Sequence, residues 1–409
     1  MDDSRYLHWD ELRYKQPPPG WTLNEWWLAL KLRRTLQPRV VELNDQNGVP
    51  FWFSMTDTLL QGSEEIARRA SGSIKSQEHV VGSKGRNEYI AKSLVEEAIT
   101  SSQLEGASTP RRVAKELLES GREPEDKSEI MIVNNYVAMQ RIRDAAQSPL
   151  TPEFVLELHR FLTEDTLEDP ADAGRLETPD HTRVAVWDND VKLHAPPPAV
   201  QLPERLAALC RFANGGSGSA YIPPVVRAVV VHFMVGYDHY FADGNGRTAR
   251  ALFYWTMLNQ GYWLSEYVTI SKILKTAPSA YAHAYLYTED DEGDLTYFIH
   301  YQLDVFIRAL NELDQYLAAK AEEMLEVRTA LDSGIDLNRR QIDVLEHLVR
   351  DGDKAVTVRS DAARNRVSDE TARADLNDLV SRGYLHKSRV SKAFVWKAPP
   401  QLAAKLARK

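Results

Sequence analysis

The sequence predicts a mainly helical protein, with one short β-hairpin set into the helical part and a separate module of three helices and two strands at the C-terminus. Three observations carry this reading. Apolar residues recur at helical spacing from about Asn87 to Ala318. The run RVAVWDNDVKLHAPPP interrupts them by alternating and turning at Asp188-Asn189-Asp190. Beyond residue 337 three helical patterns precede two alternating runs, and the charge changes sign. At 409 residues the chain is too long for one ordinary core, so two or three domains are expected. The boundaries read as an N-terminal helical region over 1–86, a helical domain over 87–318, a linker helix and hinge over 319–336, and the C-terminal module over 337–400.

The elements follow in order. Residues 1 to about 85 hold Trp9, Trp21, Trp26, Trp27 and Trp52, and the run NEWWLALKLRRTL after a QPPPG break has helical spacing. Clustered tryptophans of this kind are most often core or interface residues. Leu94, Val95, Ala98 and Ile99 make one helical face, and Met131, Val133, Val137 and Ile142 belong to another helical run. Pro152 opens PEFVLELHRFL as a residue suited to the first helical position. After the hairpin come helices from about Pro203 to Ala213, Pro223 to Asp238, Arg247 to Leu258, Ser279 to Tyr287 and Leu295 to Leu317. A continuing helix ends in DSGID. LNRRQIDVLEHLVR, VRSDAARNR and VSDETARADLNDLVSRGYL then supply three helices, and LHKSRV with SKAFVWKA two strands. Three helices and a two-stranded wing form the winged helix-turn-helix plan.

Bulk composition narrows the classes. With 43% apolar and 27% charged residues the chain reads as soluble and globular. One cysteine, Cys210, excludes an intrachain disulfide framework and suits a reducing compartment. The start MDDSRYLHWDELRYK has neither the basic opening nor the apolar run of a secretory leader. The longest apolar stretch, near Val225 to Tyr237, is broken by Arg227 and His232 and is too short to span a bilayer. The expectation is a cytoplasmic protein with no membrane partner. Net charge is −9, but Leu337 to Lys409 carries 16 Lys plus Arg against 9 Asp plus Glu, a net of +7, leaving −16 for the rest. That asymmetry points to a C-terminal module with an anionic partner or a basic surface.

The chemistry concentrates in HYFADGNGRTAR, His239 to Arg250. Asp243-Gly244-Asn245-Gly246 is a turn that opens a helix, so main-chain N–H groups with no intrahelical acceptor converge at the positive end of a helix dipole. Gly244 and Gly246 let an anion approach that main chain closely, which makes a phosphate nest around Gly244, Asn245 and Gly246. Arg247 and Arg250, three residues apart, offer forked donors to the same anion. Asp243 beside a phosphate makes sense with Mg²⁺ between them. His239, ending the preceding helix, is placed to act as a general base. Gly-Asn-Gly by itself is an ordinary turn; the constellation carries the specificity. No twelfth-position glutamate follows for a calcium loop, and no GxxxxGK pattern occurs.

This stretch closely resembles the signature of Fic domains, His-x-Phe-x-(Asp/Glu)-Gly-Asn-Gly-Arg-x-x-Arg, and the resemblance extends over roughly residues 87–315. It implies transfer of AMP from ATP to a Ser, Thr or Tyr hydroxyl of a target protein, with release of pyrophosphate. By that resemblance His239 deprotonates the hydroxyl, Phe241 anchors the loop in the core and Asp243 holds Mg²⁺. Gly244, Asn245, Gly246 and Arg247 bind phosphates, Arg250 grips the γ-phosphate, and Tyr281 stands where the family often places a tyrosine against the adenine. Gly246, where phosphorylating relatives carry a bulkier basic residue, favours AMP transfer. Tyr240 departs from the pattern, which usually has proline there, and puts the path of the loop in question. Arg183, Val184, Ala185, Val186 and Trp187 fall in the segment that matches the family's target-docking flap. Upstream, EEAITSSQLEGAST places Ser101 and Glu105 four apart on one helical face with Gly106 as a stop. Ser-x-x-x-Glu-Gly resembles the family's N-terminal inhibitory motif, in which the Glu pairs with the second motif arginine, here Arg250, and displaces the γ-phosphate. Some relatives also use this Glu to remove AMP.

In the C-terminal module Ser368 caps the third helix, Ala372, Leu376, Leu379 and Val380 form its core face, and Thr371, Arg373 and Asn377 face out, where a recognition helix meets a groove. Arg359, Arg364, Arg366, Lys387, Arg389 and Lys392 are placed for phosphate contacts. DNA, dimerisation and protein docking all stay open for such a module. The leading expectation is therefore an ATP- and Mg²⁺-dependent protein adenylyltransferase, autoinhibited in cis, with self-modification and a homodimer among the partners it allows. The alternatives are a nucleotide-sensing DNA-binding transcriptional regulator and a Fic enzyme that transfers UMP or another phosphate-linked group.

Overall fold

The computed structural model of the chain describes residues 3, 5–71, 83–179, 183, 186–188, 191–216, 220–332, 337–350, 355–390, 393–399 and 402. Among these the chain is mainly helical, with three two-stranded antiparallel ladders. Contacts divide it into two units, one of residues 1–72 with 93–310 and one of residues 73–92 with 311–409.

The first unit opens with α1 (Trp9–Leu12) and α2 (Leu23–Arg34), whose start is fixed by a capping box between Thr22 and Glu25. β1 (Pro38–Asn44) and β2 (Pro50–Ser54) follow as an antiparallel hairpin, so the region combines helices with a strand pair. Asp45 holds the turn, its carboxylate accepting from the N–H groups of Asn47 and Val49 at 2.8 Å each, and Gly48 takes a φ of +84°. Val41 and Leu43 are buried while Val40 and Glu42 face out, the period of a half-buried strand. α3 (Asp57–Ala70) follows, and residues 1–72 group with residues 93–310 in one unit. The Trp52 N–H donates to Gly293 O at 3.2 Å, and the Leu295 N–H donates to Trp52 O at 2.8 Å. Tyr6 donates to Asp294 at 2.7 Å, and the buried Arg34 donates to the Tyr297 hydroxyl at 2.8 Å. These polar ties and the Trp52 packing join the N-terminal region to the far end of the same unit.

The helical body comprises α4 (Ser83–Leu104), α5 (Arg111–Ser120), α6 (Lys127–Ala145) and α7 (Pro152–Thr163), then the hairpin β3 (Val186–Asp188) and β4 (Val191–His194). α8 (Leu202–Ala213), α9 (Pro224–Asp238), α10 (Asn245–Asn259), α11 (Ile270–Thr276), α12 (Pro278–Asp290) and α13 (Thr296–Asp332) complete it, the first unit taking α4 from residue 93 and α13 up to residue 310. α9 and α10 are the centre. α9 reads VVRAVVVHFMVGYD after its proline and is buried on nearly all sides, as expected of a helix with no polar stripe. α10 is buried almost throughout. The short segment 239–244 joins the C-terminus of one to the N-terminus of the other, so the loop within HYFADGNGRTAR rests on two core helices.

The second unit holds α14 (Arg339–Arg350), α15 (Val358–Asn365) and α16 (Asp369–Ser381), followed by the ladder β5 (His386–Val390) and β6 (Ala393–Lys397). Val344, Leu345, Leu348, Leu376, Leu379 and Trp396 are among the side chains of its core. Ser368 caps α16 by accepting from the Thr371 N–H, and Val356 bridges to Trp396 beside the ladder. Lys392 lies outside the described residues, as do Val184 and Ala185.

Candidate functional site: the loop between α9 and α10

His239 ends α9 in the left-handed region, at φ 49° and ψ 61°, and Gly244 precedes α10 at φ 82°. Two left-handed residues turn the chain back on itself, which brings the α10 N-terminus beside the His239 ring. Asn245 locks the turn. Its Oδ1 accepts from the Phe241 N–H at 3.0 Å, and its Nδ2 donates to Phe241 O at 2.6 Å. The same Nδ2 lies 3.2 Å and 3.3 Å from the two ring nitrogens of His239. Asn245 therefore acts on the loop through its side chain, while its main-chain N–H, like those of Gly246 and Arg247, has no intrahelical acceptor.

Phe241 is fully buried and stacks on His159 of α7, with ring centroids 3.7 Å apart and planes 5° apart. The Gly174 N–H donates to His159 Nδ1 at 2.9 Å, so Nε2 carries the proton and donates to Asp243 O at 2.8 Å. Burial keeps this imidazole neutral, with its pKa lowered to about 4. His159 is a site residue that sequence reasoning missed. Its place in an amphipathic helix is visible in the sequence; its partner 84 residues on is not. A side chain at Gly244 would bring its Cβ within 2.7 Å of Thr163 Cγ2, so the turn needs glycine for space as well as for φ.

Tyr240, where proline is the usual residue, is fully buried. Its hydroxyl donates to Asp238 at 2.6 Å, and Asp238 in turn receives Arg205 Nε at 2.7 Å. Arg205 also donates to the main-chain oxygens of Asn44 and Asp45 in the β1–β2 turn, and the Tyr237 hydroxyl accepts from the Gln46 N–H at 3.1 Å. This network supplies the loop's fixed path without the proline.

Charged side chains of both signs stand beside this turn. Arg247 is buried and donates through Nη1 to Leu162 O at 2.7 Å, while its Nε and Nη2 are buried with no hydrogen-bond partner among the described residues. Orphaned guanidinium donors of this kind fit phosphate oxygens. Asp243 is about half exposed, with a carboxylate oxygen 4.0 Å from Arg247. Among the described residues no cluster of three His, Cys, Asp or Glu is placed to hold a metal, so a divalent ion here would take Asp243 together with phosphate and water oxygens. Arg250 is buried; its Nε donates to Ser101 Oγ at 2.8 Å and its Nη2 donates to Ser101 O at 3.0 Å and to Glu105 Oε1 at 2.9 Å. The Glu105 carboxylate fills the space over Gly246, so closely that a Cβ there would collide with it. Ser101, Glu105, Gly246 and Arg250 thus meet at one point. Glu97, which sequence reasoning also missed, holds α4 in place; buried itself, it accepts from Tyr254 at 2.9 Å and from both the N–H and the hydroxyl of Ser271.

His239 is depressed to about 4, first by burial and then by its neighbours Arg183 and His194, with Asp243 opposing. It therefore stands unprotonated at neutral pH, the form a general base requires. Tyr281 packs among Tyr285, Phe298 and Tyr301, with its hydroxyl 2.7 Å from His232 Nε2. Arg183, in the segment matched to the flap, donates to the main-chain oxygens of Asp238 and His239. The backbones of Val186 and Trp187 form β3 as the hairpin reading requires.

Residues 149–257 match the Fic/DOC family, so this stretch carries a Fic domain. The protein adenylyltransferase fic-1 of Caenorhabditis briggsae is 35% identical over 108 residues, which are 26% of this chain and 19% of that protein. Its Caenorhabditis elegans counterpart is 33% identical over 108 residues, again 26% and 19%. The chain thus spans about a fifth of the length of these curated relatives. In overall fold it resembles the crystal structure of a Fic family protein from Desulfovibrio desulfuricans G20, with a TM-score of 0.54, 17% identity, and coverage of 85% of this chain and 98% of that one.

Proposed function

We propose that the chain is a protein adenylyltransferase, transferring AMP from ATP to a hydroxyl side chain of a target protein and held in check by Glu105. The observation that supports this most is the meeting of opposite demands at one point: a glutamate lies over the phosphate nest and pairs with the arginine that would grip the outer phosphate, beside an unprotonated histidine.

In the reaction the triphosphate binds along the N-terminus of α10. The main-chain N–H groups of Asn245, Gly246 and Arg247 and the unpaired donors of Arg247 face its oxygens, and Asp243 would hold Mg²⁺, which offsets charge on the phosphates. The target hydroxyl attacks the α-phosphorus, its proton passes to His239, and the α–β bridging bond breaks to release pyrophosphate. Tyr281 is assigned to the adenine side. Glu105 takes the place of the γ-phosphate on Arg250, and a triphosphate forced aside turns its α-phosphorus out of line with the attacking oxygen.

The test uses Glu105→Gly protein with ATP labelled at the α- or γ-phosphate. Label retained on protein from the α position alone supports the reading; label from γ alone means a kinase and overturns it.

We further infer that the second unit is a winged helix-turn-helix with α16 as its recognition helix. Arg359, Arg366, Arg373, Lys387 and Arg389 are exposed on it, which favours a nucleic-acid phosphate backbone over an apolar docking partner, although Asp369 and Glu370 stand at the α16 N-terminus. Duplex DNA affinity should fall steeply between low and moderate salt; salt-independent or absent binding contradicts this.

A further inference from the structure

We propose that Arg183 and His194, at the two roots of the β3–β4 hairpin, are positioning residues that bind the hairpin to the main chain carrying His239, so that the base is seated only while both roots are engaged. This rests on the reading of His239 as the base.

The last carbonyls of a helix have no intrahelical donor. At the end of α9 three successive ones are taken by the hairpin. His194 Nε2 donates to Tyr237 O at 2.7 Å, Arg183 Nη2 to Asp238 O at 2.6 Å and Arg183 Nη1 to His239 O at 2.9 Å. Val186 pairs with His194 in the ladder, so Arg183, three residues before Val186, and His194 leave the hairpin at the same end. Each root is fixed from behind. Arg183 Nε donates to Pro197 O at 3.0 Å and the guanidinium pairs with Glu177, whose own N–H donates to Tyr240 O at 2.9 Å. His194 Nδ1 lies 2.6 Å from Glu289. All four of these side chains are largely shielded from water.

Simple capping of a helix end needs one such cation and does not need it beside the reacting group. Here the clamped carbonyl belongs to His239 itself, a non-glycine residue in the left-handed region, a conformation that persists only where its surroundings over-determine it. The fork of Arg183 spans the two peptides on either side of that strained residue. The titratable and charged groups facing the imidazole are Arg183, His194 and Asp243, with Glu177 behind Arg183 and Glu289 behind His194. Because a target strand added to the hairpin would load these roots, docking and the readiness of the base are mechanically joined, and substitutions at the roots act on kcat more than on KM.

The test compares Arg183→Met, Arg183→Lys and His194→Gln with the parent, all in the Glu105→Gly background. Histidine NMR titration of the nucleotide-free protein, with His239 assigned through His239→Gln, gives a readout independent of catalysis. Arg183→Met should lower kcat roughly 10- to 100-fold and move the His239 midpoint upward, carrying the acid limb of kcat/KM with it. Arg183→Lys keeps the charge and should leave the midpoint in place while kcat still falls, because an ammonium cannot span two carbonyls. His194→Gln should lower kcat with KM little changed. Parent-like kcat in Arg183→Lys, or an unmoved His239 midpoint in folded Arg183→Met, overturns the proposal; should Arg183→Met not fold, the lysine variant decides. A shifted midpoint in a protein without transferase activity would leave the clamp standing and reject the catalytic reading instead.

Discussion

Replacing Glu105 with glycine removes one carboxylate from the centre of the site and leaves its neighbours in place. Arg250 stays held by Ser101 through two bonds, at 2.8 Å and 3.0 Å, so the guanidinium keeps its aim. The substitution breaks one charge-assisted bond of 2.9 Å, between an arginine side chain 2% exposed and a glutamate side chain 25% exposed. Such a bond contributes about 1.5–3 kcal/mol, and the partial exposure of Glu105 favours the lower end. At 1.4 kcal/mol per factor of ten this corresponds to roughly 10- to 30-fold in the grip on the outer phosphate. Realignment of the α-phosphorus adds to it. The assay is incorporation from α-labelled ATP, with self-modification as the readout where no target is in hand, beside calorimetric nucleotide affinity. Glu105→Gly should exceed the parent by about tenfold or more, and Glu105→Gln should fall between them, since the amide still fills the space over Gly246 without the charge. A folded Glu105→Gly protein with parental rate and parental nucleotide affinity would refute the reasoning.

Other outcomes follow from the same geometry. Asp238→Ala leaves the largely buried Arg205 without its carboxylate and frees Tyr240, at a cost of about 3–5 kcal/mol, so thermal unfolding should shift down by several degrees, while Tyr240→Phe, which removes one donor, should cost about 1–2 kcal/mol. Gly244→Ala meets both a φ of 82° and a 2.7 Å approach to Thr163, and should lose roughly 1–3 kcal/mol of stability together with activity. His159 and His232, both fully buried, are lowered to about 4 and about 3. The unfolded chain therefore takes up these protons first. Stability is full above about pH 6.5 and falls as pH drops toward 4, by on the order of 1 kcal/mol per pH unit for each histidine, measurable by urea melts across that window. A flat profile there would mean that the two rings are not held neutral.

The loop is legible in the sequence because its residues are local: the stretch from His239 to Arg250 contains the turn glycines, the histidine, the carboxylate and both arginines. The Glu105–Arg250 pair spans 145 residues and is reached through the motif resemblance rather than any spacing rule. Partners set by tertiary packing escape such a reading. The roles of His159, Arg205 and Glu97 depend on residues 84, 33 and 157 positions away, and nothing in their own helices marks them. Alternation places Arg183 in the hairpin segment, but it does not show which main-chain oxygens a root side chain will meet. The β1–β2 hairpin does leave a signal, Asn47-Gly48 between PRVVEL and VPFWF, which favours a tight turn; the helical spacing around the nearby tryptophans obscures it. The helices themselves lie close to their expected bounds, since uninterrupted apolar periodicity and proline starts determine them locally.

The most direct test of the central claim is a crystal structure of the Glu105→Gly protein with Mg²⁺ and an ATP analogue whose α–β bridge is a methylene group. The expected result is the γ-phosphate on Arg250, the inner phosphates on the α10 N-terminus and Arg247, and the α-phosphorus facing His239. A nucleotide bound in the reverse sense, with its γ-phosphate at His239, or one bound away from this loop, would contradict it.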